Sequence, residues 1–175
     1  MKIYLLRHAE TKYNEEGLMQ GRENTLLSRK GMKKSEEVRD KLKDLKIDVC
    51  FSSPLLRTMQ TAFTVVGDRC LINKDDRLIE RSLGEYEGKS KEEYDLNMYW
   101  NYKLNLSTNG VEPIQDVYKR CDSFLSYLKD NYSDKNVLVV SHSAVIRCFH
   151  NILHNCIDKP DGIVIDNCYF EEIDI

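Results

Sequence analysis

The sequence predicts an α/β fold: a three-layer sandwich with a mostly parallel central sheet and helices on both faces. Three observations predict it. Short apolar runs at 2–6, 47–52 and 137–140 alternate with helical segments at 28–45, 116–129 and 143–154, as expected when helices form the crossovers between parallel strands. The run Val137-Leu-Val-Val140 is apolar throughout, the pattern of a strand covered on both faces. The 175 residues hold no linker, low-complexity tract or internal repeat. One domain over residues 1–175 is therefore expected, long enough to bury a sizeable core.

The elements follow in order. Lys2 to Leu6 reads as a short buried strand. From Ser28 to Leu45, Met32, Ser35, Val38, Leu42 and Leu45 recur at steps of three and four, so this segment is a helix with Ser28 as its N-cap. Ile47 to Ser52 is a second strand. Pro54 then opens a helix, where its missing N–H costs nothing, and the helix runs to about Val66 and ends near Gly67. Asp116 to Lys129 is amphipathic, with Val117, Cys121, Phe124, Leu125 and Leu128 on one stripe. Val137 to Val140 is the central strand, followed by a mostly apolar helix over 143–154. Ile163 to Ile165 and Cys168 to Ile173 are expected as closing strands. Residues 85–112 are the least regular and concentrate Tyr86, Tyr94, Tyr99, Trp100 and Tyr102. They read as a short cap, whose aromatics either cover a sheet edge or shape a substrate pocket.

Composition narrows the function. A net charge of −3 argues against a nucleic-acid binder with a broad basic surface, although a few arginines can hold a small dianion inside an acidic protein. The cysteines at 50, 70, 121, 148, 156 and 168 include no Cys-x-x-Cys pair, so no zinc site is expected from them. No secretory leader precedes the first strand, and no apolar run approaches a membrane span. The expectation is a cytoplasmic, reduced protein with no membrane partner.

The chemistry concentrates at strand ends. Leu5-Leu-Arg7-His8-Ala-Glu-Thr11 sets an arginine and a histidine just after the first strand. Guanidinium matches phosphate geometry, and a neutral imidazole can act as a nucleophile. Asn136-Val-Leu-Val-Val-Ser-His142-Ser143 repeats the arrangement downstream, with the N–H groups of Ser143 and Ala144 available to an anion. Ser52-Ser-Pro54-Leu-Leu-Arg57 sets a turn that would aim Arg57 across the carboxyl edge of the sheet, where open α/β sheets bind ligands. Leu78-Ile-Glu80-Arg-Ser-Leu-Gly84-Glu-Tyr-Glu87-Gly88 supplies a carboxylate, with Glu80, Glu85 and Glu87 as rivals on composition alone. His150 and His154 have helical ligand spacing but lack the intervening glutamate of a zincin. They read as ordinary helix histidines, and no metal is expected.

The ordered set Arg7-His8-Ala9-Glu10-Thr11 with Asn14, Gln20-Gly21-Arg22, Ser52-Ser53-Pro54 with Arg57 and Thr61-Ala62, Leu78-x-Glu80 with Gly84 and Glu87-Gly88, and Ser141-His142 resembles the histidine phosphatase superfamily, also called phosphoglycerate-mutase-like. That resemblance implies that His8 is the nucleophile and forms a transient phosphohistidine. Arg7, Arg57 and His142 would bind phosphoryl oxygens, with Asn14 and the Gln20-Gly21 backbone nearby and the Ser143 N–H at the same helix start, and Glu80 would donate and accept the proton. Ala9 and Ser143 stand where many relatives have glycine, which implies a slightly tighter backbone approach at the phosphate.

The function expected is a metal-independent phosphatase, without cofactor, acting on a small phosphorylated metabolite such as α-ribazole phosphate, a sugar phosphate or a phosphoglycerate. A phosphoglycerate mutase is the alternative, disfavoured by the short span from Gly88 to Gly110 and the short chain after the last strand, because a mutase must shield its phosphohistidine from water. A catalytically silent phospho-ligand binder is less favoured still, since Arg7, His8, Arg57, Glu80 and His142 are all present.

Overall fold

The computed structural model describes residues 1–157 and 163–175. Its centre is a five-stranded sheet of β1 (Lys2–Arg7), β2 (Val49–Ser52), β3 (Ile72–Lys74), β4 (Asn136–Ser141) and β5 (Phe170–Asp174), in the order β3-β2-β4-β1-β5. All neighbours are parallel except the edge pair β1–β5. The helices are α1 (Lys12–Glu15), α2 (Arg29–Lys41), α3 (Leu56–Val66), α4 (Leu96–Tyr99), α5 (Ile114–Tyr132) and α6 (Ser143–Leu153). None of the described helices is long and apolar enough to cross a membrane.

The two-residue period of a strand divides the core into two layers. Ile3 and Leu5 of β1 join Val137 and Val139 of β4 in a cluster with α5 and α6, built on Val117, Phe124, Leu128, Val145 and Phe149. Tyr4, Leu6, Leu138 and Val140 point the other way, onto Val38 of α2 and Ala62, Val65 and Val66 of α3. The expected sandwich is thus present, and both faces of β1 and β4 are covered.

Several boundaries differ from the sequence expectation. Ile163 to Ile165 forms no strand; the Ile165 carbonyl instead accepts a 2.6 Å bond from Arg7 Nη1. Cys168, with φ of 60°, donates its N–H to His8 O, so β5 begins only at Phe170. Pro54 belongs to a turn rather than to the helix, because Ser53 N still bonds to Val140 O and α3 starts two residues later. The Asn24 side chain, at 2.8 Å, receives the Leu56 N–H at that start. Helix α2 stops at Lys41, and α5 extends three residues beyond Lys129. Strand β3 was not anticipated; three half-exposed or exposed edge residues carry too little pattern to read.

The region 85–112 is three 3₁₀ turns and α4, held by a small core of Leu83, Tyr94, Tyr99 and Val111. Tyr94 and Tyr99 stack with centroids 4.8 Å apart, and Tyr86 packs edge-on to both. Gly84 anchors this cap: its φ is 54°, and a Cβ there would lie 2.0 Å from the Asn109 carbonyl oxygen.

Candidate active site

The register Arg7↔Ser141 and Ser52↔Val140 brings three parallel strand ends level at one edge of the sheet. The next residue of each chain segment keeps a sheet-like bond: His8 N to Ser141 O at 3.0 Å, and Ser53 N to Val140 O at 3.1 Å. His8, Ser53 and His142 therefore emerge side by side above a rigid base. They adjoin a cavity of about 410 Å³ that Arg7, His8, Asn14, Gln20, Gly21, Arg57, Glu80 and Ser143 help to line.

His8 is buried, and its Nδ1 lies 2.7 Å from Ala9 O. A carbonyl only accepts, so Nδ1 carries the proton and Nε2 keeps its lone pair. Burial, reinforced by the Arg57 and Arg7 charges, holds the imidazole well below its ordinary pKa, hence neutral. Ala9 is itself fixed, its N–H donating to Thr61 Oγ1 at 3.0 Å. Thr61 in turn donates to Arg57 O, which ties the β1 loop to the first turns of α3.

His142 lies beside His8, ring centroids 5.2 Å apart. Its Nε2 is 2.8 Å from Ser53 Oγ, which already accepts the Leu55 N–H. The serine hydroxyl proton is thereby free to go to Nε2, which leaves Nδ1–H as a donor. Burial again lowers the pKa and favours the neutral ring. Nδ1 is buried without a partner among the described residues, as are Arg7 Nε and Arg57 Nε.

The remaining guanidinium nitrogens organise the loops. Arg57 is fully buried and donates to Glu23 O at 2.7 Å and Gly21 O at 2.8 Å. Burial pushes its pKa down to about 10, so it remains a cation near neutral pH. Gln20 braces the same loop, its Oε1 accepting from the Thr11 and Thr25 hydroxyls. Asn14 and Thr11 form a reciprocal cap on α1, and Asn14 Oδ1 also accepts from Asn167.

The three glutamates separate cleanly. Glu85 is exposed. Glu87 is a brace: its Oε1 accepts from Arg22 N, Leu83 N and Ser82 Oγ. Gly21, with φ of 50°, leaves the room that this carboxylate fills, since a Cβ would lie 2.2 Å from that oxygen. Glu80 alone of the three lines the cavity. It accepts from Arg81 N at 2.8 Å and Ala144 N at 3.4 Å. The Ala144 N–H is thus directed to Glu80, not held for an anion. Burial raises the Glu80 pKa, against the opposing pull of those N–H groups, Arg57 and Arg7.

The sequence assigns no role to three cations that line the cavity, Arg81, Lys91 and Arg147, whereas Tyr94 and Trp100, which line it too, are among the aromatics that it offers as pocket-shaping. Both guanidinium carbons lie over the Trp100 ring, at 5.7 Å for Arg81 and 5.3 Å for Arg147. Arg81 also donates to Glu112 O and Tyr99 O, and its Nη2 has no partner among the described residues. The buried Tyr94 hydroxyl is likewise unpartnered. The cap aromatics therefore divide, with Tyr86 and Tyr99 packing internally while Tyr94 and Trp100 face the cavity. One signal could have found Arg147, because it follows Ser143 by four residues and shares its helix face. His150 and His154 lie outside this cavity.

The profile of the histidine phosphatase superfamily (branch 1) matches residues 3–175. Phosphoserine phosphatase 1 of Hydrogenobacter thermophilus is 31% identical over 157 residues, 86% of this chain and 74% of that protein. Among solved structures, the α-ribazole phosphatase of Shigella flexneri superposes with a TM-score of 0.85 at 25% identity, covering 100% of this chain and 91% of its own. A phosphoserine phosphatase of Entamoeba histolytica, solved with 3-phosphoglyceric acid, gives a TM-score of 0.81 at 27% identity, covering 98% and 89%.

Proposed function

The chain belongs to the histidine phosphatase superfamily, and we propose that it hydrolyses small phosphorylated metabolites through a phosphohistidine on His8. It is a phosphatase, and the roles of its residues follow from the site. The observation that carries the reading is the cluster around His8: His142 lies 5.2 Å away ring to ring, the Arg57 and Arg7 charges act on the imidazole, and Arg7 Nε, Arg57 Nε and His142 Nδ1 have no partner among the described residues. A phosphoryl group placed there gains three hydrogen bonds and two compensating cations as Nε2 approaches phosphorus.

In the first half-reaction a P–N bond forms to His8 as the ester P–O bond breaks, and Glu80 transfers its proton to the departing oxygen. In the second, water attacks phosphorus, the Glu80 carboxylate takes the water proton, and His8 leaves as the neutral ring. The charge on the phosphoryl oxygens is met by arginine. Turnover is expected to change by less than about twofold on exhaustive chelation, small beside the roughly 10²- to 10³-fold cost of losing one oxyanion donor. Complete loss, restored by added metal, would remove this mechanism.

The leaving group is a short one bearing a carboxylate. Arg81, Tyr94 and Arg147 all line the cavity that holds His8, Arg81 Nη2 and Tyr94 Oη have no partner among the described residues, and together the three side chains suit a second anion. The related enzymes named for phosphoserine, and the one holding 3-phosphoglyceric acid, have ligands of that kind. Phosphate release should be compared across phosphoserine, 3-phosphoglycerate, glycerol phosphate and p-nitrophenyl phosphate. Arg147→Met is expected to lower kcat/KM for the first two by about 10- to 100-fold, the worth of a charge-assisted hydrogen bond, and to spare the last two. Equal losses on all four esters would sink the carboxylate assignment while leaving the phosphatase intact.

A further inference from the structure

His150 and His154 lack a partner carboxylate in sequence, but the fold brings one to them from β5. Glu171 sits opposite Leu5 on the antiparallel edge, beneath the C-terminal turn of α6. His150 Nδ1 is 2.8 Å and His154 Nε2 3.0 Å from the same atom, Glu171 Oε1. The two rings lie 4.3 Å apart, and all three ligand atoms fall within 4.8 Å of one another. The other carboxylate oxygen accepts the Tyr169 hydroxyl at 2.9 Å. Nothing in the phosphatase chemistry uses these groups: His150 lies eight residues beyond His142, about 12 Å along the helix.

The geometry points to a divalent transition-metal site of the zinc type, with His150, His154 and Glu171 as ligands and a fourth position open to water. Two imidazoles and one carboxylate form a borderline donor set that suits zinc. Metal–ligand bonds of about 2.0–2.2 Å in a tetrahedron separate the ligand atoms by about 3.3–3.6 Å. The Oε1 contacts at 2.8 and 3.0 Å need to open by roughly half an ångström to reach that spacing. His154 can give, since its side chain is half exposed, whereas His150 and Glu171 are largely buried and preset. Tyr169 then acts from outside the ligand set, orienting the carboxylate as such partners do. A metal here would clamp the end of α6 to the edge strand and would stabilise the chain rather than take part in turnover.

The test is zinc titration of the metal-stripped full chain against a chromophoric chelator, with cobalt absorption as a reporter of nitrogen and oxygen ligands. One equivalent per chain should bind and raise the melting temperature. His154→Ala and Glu171→Gln should abolish that equivalent, and Tyr169→Phe should weaken it by about tenfold or more. His154 is exposed enough for its alanine variant to fold, which circular dichroism and unchanged turnover on p-nitrophenyl phosphate would verify. Two neutral imidazoles can also simply donate their N–H groups to Oε1. Failure of the intact chain to bind zinc would reduce the triad to that hydrogen-bonded clamp and overturn the assignment. Binding that survives both substitutions would place the metal elsewhere, on the free thiols, and overturn it equally.

Discussion

His8→Ala is expected to abolish turnover and the covalent intermediate together, with a loss in kcat on the order of 10⁴- to 10⁶-fold, the range for removing a member of a nucleophilic unit. The argument rests on one hydrogen bond. Because Ala9 O can only accept, the His8 proton is pinned at Nδ1 and Nε2 keeps its lone pair, on a ring that lines the cavity. Among the described residues His142 is the rival imidazole beside it, and its Nε2 is engaged by Ser53 while its Nδ1 is assigned as a donor. Brief incubation of the native protein with substrate, an acid-free quench and mass spectrometry should locate the phosphoryl group on His8. An adduct on His142 would reverse the two roles. His8→Asn, closer in size and polarity, guards against mistaking a collapsed buried site for a missing nucleophile.

Much of this site was legible before the fold was known, for a physical reason. The segments ending at Arg7, Ser52 and Ser141 are apolar enough to be read as buried strands. Parallel strands put their carboxyl ends on one edge, so Arg7, His8, Arg57 and His142 could be expected to converge there. What local pattern does not encode is a contact between distant segments. Arg81 and Arg147 share Trp100, Glu87 enters the space left by Gly21, and Glu171 completes the His150–His154 pair; each depends on tertiary placement. The segment from Ile163 to Ile165 failed for a related reason. Its β-branched residues promise a strand, but the Ile165 carbonyl is taken by Arg7, and the turn at Cys168 hands the next ladder to Phe170.

Glu80→Gln is expected to reduce hydrolysis of alkyl phosphates by about 10²- to 10⁴-fold in kcat/KM, the usual worth of general acid catalysis, while largely sparing p-nitrophenyl phosphate. An alkoxide needs a proton to leave; nitrophenolate does not. Glutamine preserves an acceptor for the Arg81 N–H and the local shape but cannot transfer a proton. Comparing kcat/KM confines the test to the first half-reaction and keeps water attack on the phosphohistidine out of it. The pH profile adds a second, independent sign. Burial raises the Glu80 pKa, so its acid form persists to higher pH than in an exposed glutamate. Activity on alkyl esters should therefore fall as pH rises through that pKa, and the alkaline limb should vanish in Glu80→Gln. His8 contributes no such limb, because its pKa is lowered and its neutral form only gains as pH rises. Glu85→Gln should change neither measure, since that carboxylate is exposed. Glu87→Gln should weaken both ester types together, by loosening the Gly21–Arg22 loop it braces. Equal damage to alkyl and nitrophenyl esters in Glu80→Gln would mean that this carboxylate only positions Arg81 and Ala144, and the proton would have to come from another group lining the cavity.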